Sequence, residues 1–232
     1  MNVLQNKATA EVSEAVGVIL PFEKKDEYFV EHLYEIPSKP VYRFFKRVFD
    51  ILISAVALIL LAIPMLAIAI IIKCTSRGTV LYKQDRLGLN GRPIRIIKFR
   101  SMHMDAEADG AQWSKGDEDG RIYPFGLCLR KTRLDELPQF WCILKGDLSL
   151  VGPRPERECF YKEFETYIHG FNERLKVKPG LTGLAQVNGG YDLPPEKKIL
   201  WDIKYIKNRS LWNDFKIICK TVAVVFTHDG AK

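Results

Sequence analysis

The chain has 232 residues, 47% of them hydrophobic, and a formal net charge of +7, so global disorder is excluded and a packed core is expected. The basic excess admits nucleic acid, anionic lipid or phosphorylated small molecules as partners. Five scattered cysteines without a Cys-x-x-Cys, and four histidines without ligand spacing, exclude a disulfide framework and a zinc site, and point to reduced thiols facing the cytoplasm.

Residues 1–40 read as an irregular or partly helical appendage with no signal-peptide pattern. Residues 41–76 are expected to form a membrane-inserted unit, and 77–232 a compact polar domain. The fold class is α+β. Ile51 to Ile72 carries no charge and is long enough to cross a hydrocarbon core. Basic residues flank both ends (Lys39, Arg43, Lys46, Arg47; Lys73, Arg77, Lys83, Arg86), which gives no inside/outside asymmetry. Pro64 removes one backbone hydrogen bond and bends the helix. A re-entrant helix and a kinked span explain these facts equally well.

Downstream, Thr79–Gln84 and Arg92–Arg100 alternate around the turn signal Leu87–Gly91 and predict a hairpin. Its basic residues, Lys98 and Arg100 among them, suit a solvated face or a bound phosphate equally. Asp105 to Gly120, acidic and Gly-rich, predicts a mobile excursion over the site. Next comes Lys131-Thr132-Arg133-Leu134-Asp135-Glu136-Leu137-Pro138-Gln139. Thr132 and Asp135 have capping-box spacing, and Pro138 belongs in a first turn, so a helix is expected to start near Asp135. Leu134, Leu137, Phe140, Trp141 and Leu144 predict its core face. Both acids would lie at the positive end of the helix dipole, and the surrounding cations would lower their pKa and keep them ionised. Taken alone, such a pair is ordinary capping; among cations it is also a candidate nucleophile or hard-metal ligand. An amphipathic helix is expected through Phe160, Phe164 and Tyr167. Lys176–Gly183, with Lys178, reads as a basic loop able to wrap phosphate, or as a tight connection. Ser210 caps a last helix whose stripe of Leu211, Trp212, Phe215, Ile218 and Val222 suits either a membrane interface or a core.

Six ordered blocks over roughly four-fifths of the chain resemble the bacterial sugar transferase family, the monotopic polyprenyl-phosphate phosphoglycosyl transferases. They are Lys46-Arg47-Val48-Phe49-Asp50; Tyr82-Lys83-Gln84-x-Arg86-x-Gly88 with Asn90-Gly91; Lys98-Phe99-Arg100-Ser101-Met102; Leu134–Gln139; Val151-Gly152-Pro153-Arg154-Pro155-Glu156; and Lys178-Pro179-Gly180-Leu181-Thr182-Gly183. The resemblance implies transfer of a sugar-1-phosphate from a UDP-sugar to polyprenyl phosphate, with Asp135 as the nucleophile that forms an aspartyl-phosphosugar. It implies Glu136 as a ligand of Mg²⁺, with Arg130 and Arg154 binding phosphate. Lys98, Arg100, Glu156 and Lys178 complete the candidate substrate-binding set. It further implies a re-entrant helix broken at Pro64, amphipathic interfacial helices, contact with membrane lipid, and a place on the cytoplasmic face of the bacterial inner membrane. Many members break the helix with Ser-Pro, where this chain has Ile63-Pro64. A homo-oligomer is compatible with all of this; nucleic acid is not expected, because no recognition motif accompanies the basic residues. The alternative is a membrane-tethered nucleotide or anionic-lipid binding module without turnover.

Overall fold

A computed structural model describes residues 18–19, 26–30, 33, 36–108, 110–113, 118–189 and 193–227. In chain order come β1 (Val18–Ile19), β2 (Tyr28–Phe29), α1 (Pro40–Leu60), α2 (Ala62–Thr75), β3 (Leu81–Leu87), β4 (Pro93–Phe99) and β5 (Ala111–Gln112). Then follow α3 (Pro124–Lys131), α4 (Gln139–Lys145), β6 (Ser149–Val151), α5 (Glu158–Glu165) and β7 (Ile168–His169). The chain continues through β8 (Gly180–Thr182), α6 (Leu184–Gly189), α7 (Pro195–Asn208) and α8 (Leu211–Thr227). Helix and strand are mixed, as the α+β expectation requires.

The uncharged stretch is two helices, α1 and α2, bent by 60°. Pro64 is the cause. It cannot donate to the Leu60 carbonyl and its ring crowds that oxygen, so α1 stops at Leu60 while Pro64 fits the opening turn of α2. The break therefore falls at Leu61, upstream of the proline itself. No single helix among the described residues is long and apolar enough to cross a membrane, but the bent pair passes that test together. At its tip Ile59, Leu60 and Ile63 are 76%, 71% and 81% exposed, so the bend presents hydrocarbon outward.

The base of α1 is fastened to the rest of the protein by the Lys46–Asp50 block. Buried Asp50 accepts hydrogen bonds from the Leu150 N–H (2.9 Å) and the Ser149 hydroxyl (3.1 Å). Arg47 donates to the Ile143 and Leu144 carbonyls, both at 2.7 Å, and so satisfies the C-terminal end of α4. Lys46 pairs with Asp214 of α8 at 2.7 Å.

The expected hairpin forms, with Leu81 opposite Phe99 and Leu87 opposite Pro93. Its turn needs positive φ twice, which Asn90 (56°) and Gly91 (73°) supply with little strain. Because opposite residues share a face, Tyr82, Gln84 and Arg86 fall on the same side as Lys98. The Lys176–Gly183 stretch is not simply a loop. Gly180–Thr182 pairs in parallel with β6, and a Cβ at Gly180 would lie 2.1 Å from the Gly152 nitrogen. Both glycines are there to let two backbones touch.

The larger core gathers Ile96, Ile143, Leu148, Phe160, Phe164, Tyr167, Phe171, Ile199 and Ile206. A smaller cluster joins Ile68 and Ile72 of α2 to Phe99 and Leu129, with Met65, Phe125 and Leu137 packed against it. Parts of the upstream segment belong to the domain: β1 pairs with β5, β2 with β7, and Leu33 is buried in the larger core. The Asp105–Gly120 excursion is tied down where it is described, by Trp113 against Phe160 and Phe164 and by Glu107 accepting from Tyr82 and Arg157. Asp109, Gly116 and Asp117 lie outside the described residues. In α8 the Ser210 hydroxyl accepts the Asn213 N–H at 3.2 Å, as a cap should. Most of its stripe faces outward: Leu211, Trp212, Phe215 and Val222 are exposed, Ile218 packs against the larger core, and Asp214 and Ile217 are the buried side.

Candidate active site

The acidic pair lies between two helices and does not open one. Thr132 donates its hydroxyl proton to the Cys128 carbonyl (2.8 Å) and so closes α3, where a capping box would have opened a helix. Arg133 then turns left-handed (φ 57°, ψ 16°), Leu134–Glu136 makes a 3-10 turn, and α4 begins only after Pro138. The expected core face is corrected with it. Leu137 and Phe140 do pack against the two hydrophobic clusters, but Leu134 and Trp141 are exposed and the most buried residues of α4 are Gln139, Cys142 and Ile143. The later start rotates the helix and shifts the inward stripe, so that only part of the expected face is covered. The short turn also buries both acids, leaving Asp135 7% and Glu136 6% exposed.

Asp135 lines a cavity of about 330 Å³. The hairpin face carrying Tyr82, Gln84, Arg86 and Lys98 supplies one wall. Arg130, Lys131 and Arg133 come from the end of α3 and the turn after it; Arg154, Glu156 and Arg157 follow β6; Lys198 comes from α7. Ten lysines and arginines line the cavity against three carboxylates, Glu107, Asp135 and Glu156. Such a surface selects anions.

Glu136 is held behind this lining. Its carboxylate accepts a fork of hydrogen bonds from Arg154, and the Lys98 ammonium stands 3.5 Å away. Asp135 is different. Burial, reinforced by the Glu136 charge, pushes its pKa up to about 6, against the opposing pull of Lys98, Arg130 and Arg154. The expectation that nearby cations would lower it is corrected: desolvation and a like-charged neighbour outweigh them. Burial likewise draws Lys98 down to about 8, with Glu136 resisting. Burial would raise Glu156, yet Lys198 and Arg86 hold it at about 2. A carboxylate attacks only in its ionised form, so any step in which Asp135 were the nucleophile should slow about tenfold for each pH unit below 6 and level off above it. A pre-steady-state rate that is flat from pH 7 to pH 5 would contradict this assignment.

Arg174 supports the site from behind. It is fully buried, donates from Nε to Asp202 (2.6 Å) and from Nη2 to the Arg154 carbonyl (2.7 Å), and lies 4.7 Å over the Phe171 ring. Lys198 spans Glu156 at 3.1 Å and the face of Trp113 at 4.7 Å.

Of the residues singled out in the sequence, Lys98, Arg130, Asp135, Arg154 and Glu156 meet at the cavity, with Glu136 directly behind. Arg100 borders it, but its guanidinium donates to Ser76 Oγ and O and to the Thr79 carbonyl, closing the end of α2. Lys178 lies outside the lining, among Arg47, Asp50 and Asp147. Arg86, Arg121, Lys131, Arg133, Arg157 and Lys198 also line the cavity and lie outside the set expected from the sequence. Strand alternation with Lys98 could have found Arg86; nothing local marks Lys198 or Arg174.

No group of three or more His, Cys, Asp or Glu side chains able to hold a metal gathers among the described residues. Mg²⁺ does not require one, because it takes one or two carboxylates and completes its shell with water and substrate phosphate. The donor chemistry of Asp135 and Glu136 beside a cation-lined cavity fits that ion, with a metal at Glu136 taking the place of Arg154 or Lys98.

Residues 41–228 match the family model described as bacterial sugar transferase. The chain is 44% identical over 212 residues to the UDP-N-acetylgalactosamine-undecaprenyl-phosphate N-acetylgalactosaminephosphotransferase of Aeromonas hydrophila, covering 88% of this chain and 50% of that one. It is 41% identical over 204 residues to the UDP-glucose:undecaprenyl-phosphate glucose-1-phosphate transferase of Klebsiella pneumoniae, covering 86% and 44%. A protein of the same description from Caulobacter vibrioides is 41% identical over 192 residues, covering 80% and 71%. The chain thus spans about half the length of the first two relatives.

Proposed function

The chain belongs to the bacterial sugar transferase family, and from that premise we propose that it moves a sugar-1-phosphate from a UDP-sugar to polyprenyl (undecaprenyl) phosphate. The products are the polyprenyl-diphosphate sugar and UMP, the first membrane step in assembling a glycan such as an exopolysaccharide, capsule or O-antigen. The observation that carries this reading is Asp135, a carboxylate facing a cavity lined by ten cations in a domain fastened to a bent apolar helix pair.

The ionised Asp135 oxygen attacks the phosphorus nearest the sugar. The bond from that phosphorus to the bridging oxygen breaks, and UMP leaves with the electron pair. An oxygen of the lipid phosphate then attacks the aspartyl-phosphosugar, and the carboxylate departs. Lys98, Arg130 and Arg154 neutralise the phosphoryl oxygens in both steps, which is most of what phosphoryl transfer asks of a protein. Arg154 and Lys98, now on Glu136, are the cations positioned to shift toward incoming phosphate. Mg²⁺, held by Glu136, would supply further charge neutralisation at the diphosphate. A covalent intermediate suits substrates that live in two phases, one in water and one in lipid.

The bent pair is proposed to dip into the cytoplasmic leaflet of the bacterial inner membrane and return, with the exposed stripe of α8 in the headgroup region. Cysteines placed before Ile51 and after Ile72 should then label from one side only; labelling from opposite sides would exclude the re-entrant arrangement. For the reaction, the test is UMP release from a panel of UDP-sugars with and without polyprenyl phosphate. One equivalent of UMP and a retained phosphosugar are expected without lipid, and multiple turnovers with it. Tight UDP-sugar binding without any UMP would favour a binding module instead.

A further inference from the structure

We propose that Arg133 is part of the acceptor subsite, where it binds the phosphate monoester of the lipid substrate; this rests on the transferase reading above. Arg133 is one of three non-glycine residues with positive φ among the described residues, beside Lys39 and Asn90. Glycine or asparagine holds that conformation with less strain than arginine. The turn itself needs only the backbone. The Arg133 N–H donates to the Arg130 carbonyl (3.1 Å), and its own carbonyl accepts from the Glu136 N–H (3.2 Å). Glycine would make both bonds. Strain retained where a less strained residue would serve points to a use for the side chain. That side chain lines the cavity, two residues before Asp135.

Its neighbours say which substrate it meets. The cavity is bordered by residues of both hydrophobic clusters. Trp113 and Phe160 belong to the larger core, with Lys198 on Trp113. The turn carrying Arg133 belongs to the smaller cluster: Leu129 and Phe125 before it, and Leu137 after it, pack with Ile68, Ile72 and Met65 of the bent apolar pair. The next residue, Leu134, is an exposed apolar side chain. Arg133 is thus, of the cations Arg130, Lys131 and Arg133 in the segment that joins Asp135 to the membrane-directed helix, the one nearest Asp135 in the chain. A phosphate carried on a hydrocarbon chain reaches Asp135 along this border, its head meeting a guanidinium and its first carbons meeting leucine. Arginine's planar fork suits a phosphate monoester.

The test uses the full chain in lipid nanodiscs with Arg133→Gly, and Arg133→Asn as a second variant that accepts the same backbone. Both should raise the KM for polyprenyl phosphate by about tenfold or more, the scale of losing a charged hydrogen bond. Single-turnover UMP release from UDP-sugar in the absence of lipid should stay within about twofold of wild type, and the melting temperature should not fall. An unchanged acceptor KM would overturn the proposal, leaving Arg133 a structural residue. A raised UDP-sugar KM with a slowed UMP burst would overturn it in favour of the nucleotide's phosphates. A wild-type protein that releases no UMP overturns the transferase reading, and this subsite with it.

Discussion

Asp135→Asn is expected to lower turnover by about four to six orders of magnitude, the usual scale for removing a covalent nucleophile, and at the same time to raise the melting temperature. The second half of that expectation comes from burial. The native protein holds the Asp135 carboxyl at about 6 against an ordinary 3.8, so ionising it is harder in the folded chain than in the unfolded one. Between those two values the folded state binds more protons, and stability therefore falls as pH rises through that window and stays lower above it. At neutral pH the penalty is at most about 3 kcal/mol. Asparagine carries no charge to desolvate and should recover part of it. Thermal melts of wild type and variant at pH 5 and pH 7.5 would show this, with the variant's advantage larger at pH 7.5. Residual turnover above about one per cent would remove Asp135 from the nucleophile's role, and an equal loss of stability at both pH values would refute the burial argument.

Arg174→Met is expected to have the largest effect on stability, a loss of about 3–5 kcal/mol, from a folded state worth only about 5–15 kcal/mol in total. Its partner Asp202 is 1% exposed, and burial already pushes that carboxyl up against the pull of Arg174 and Lys198. Without the guanidinium a buried charge is left facing apolar rings. The double variant Arg174→Met/Asp202→Leu should regain much of the stability, because replacing both members of a buried pair with packed apolar groups is often neutral. It should not regain activity. The Arg154 carbonyl, held by Arg174 at 2.7 Å, would still lack its donor, and Arg154 is the residue that grips Glu136. Urea unfolding of the three proteins, beside their UMP release, separates the two effects. A double variant as active as wild type would show that Arg174 serves the fold alone.

How far the sequence could be read depends on how local each cause is. Asn90-Gly91 dictates a hairpin turn within a few residues, Pro64 breaks a helix against its own preceding turn, and Ser210 caps the helix it begins, so all three were legible. The position of Asp135 among Lys98, Arg130 and Arg154 was visible through ordered motifs, but its protonation was not. Charge can be counted along a chain, whereas desolvation depends on how completely a turn is covered after folding. The start of α4 was misplaced because Thr132 can either open a helix or close one, and only the left-handed Arg133 decides. Arg174 reaches Asp202 across 28 residues and Lys198 reaches Glu156 across 42, with no periodic signal linking either pair, so nothing short of the fold reveals that they brace the site.

The fastening of α1 by Lys46, Arg47 and Asp50 has a mechanical corollary. An anchor joined through a slack tether would let the chemistry bob at varying heights above the lipid. Here the bent pair is held at its root, so in the proposed re-entrant arrangement its tip and Asp135 keep one relative height and one azimuth. Adding a single residue to α1 above that root would swing the tip by about 100° and lift it by about 1.5 Å. On the proposed membrane reading, working depth is therefore a fixed dimension of this protein, as much a part of its design as Asp135.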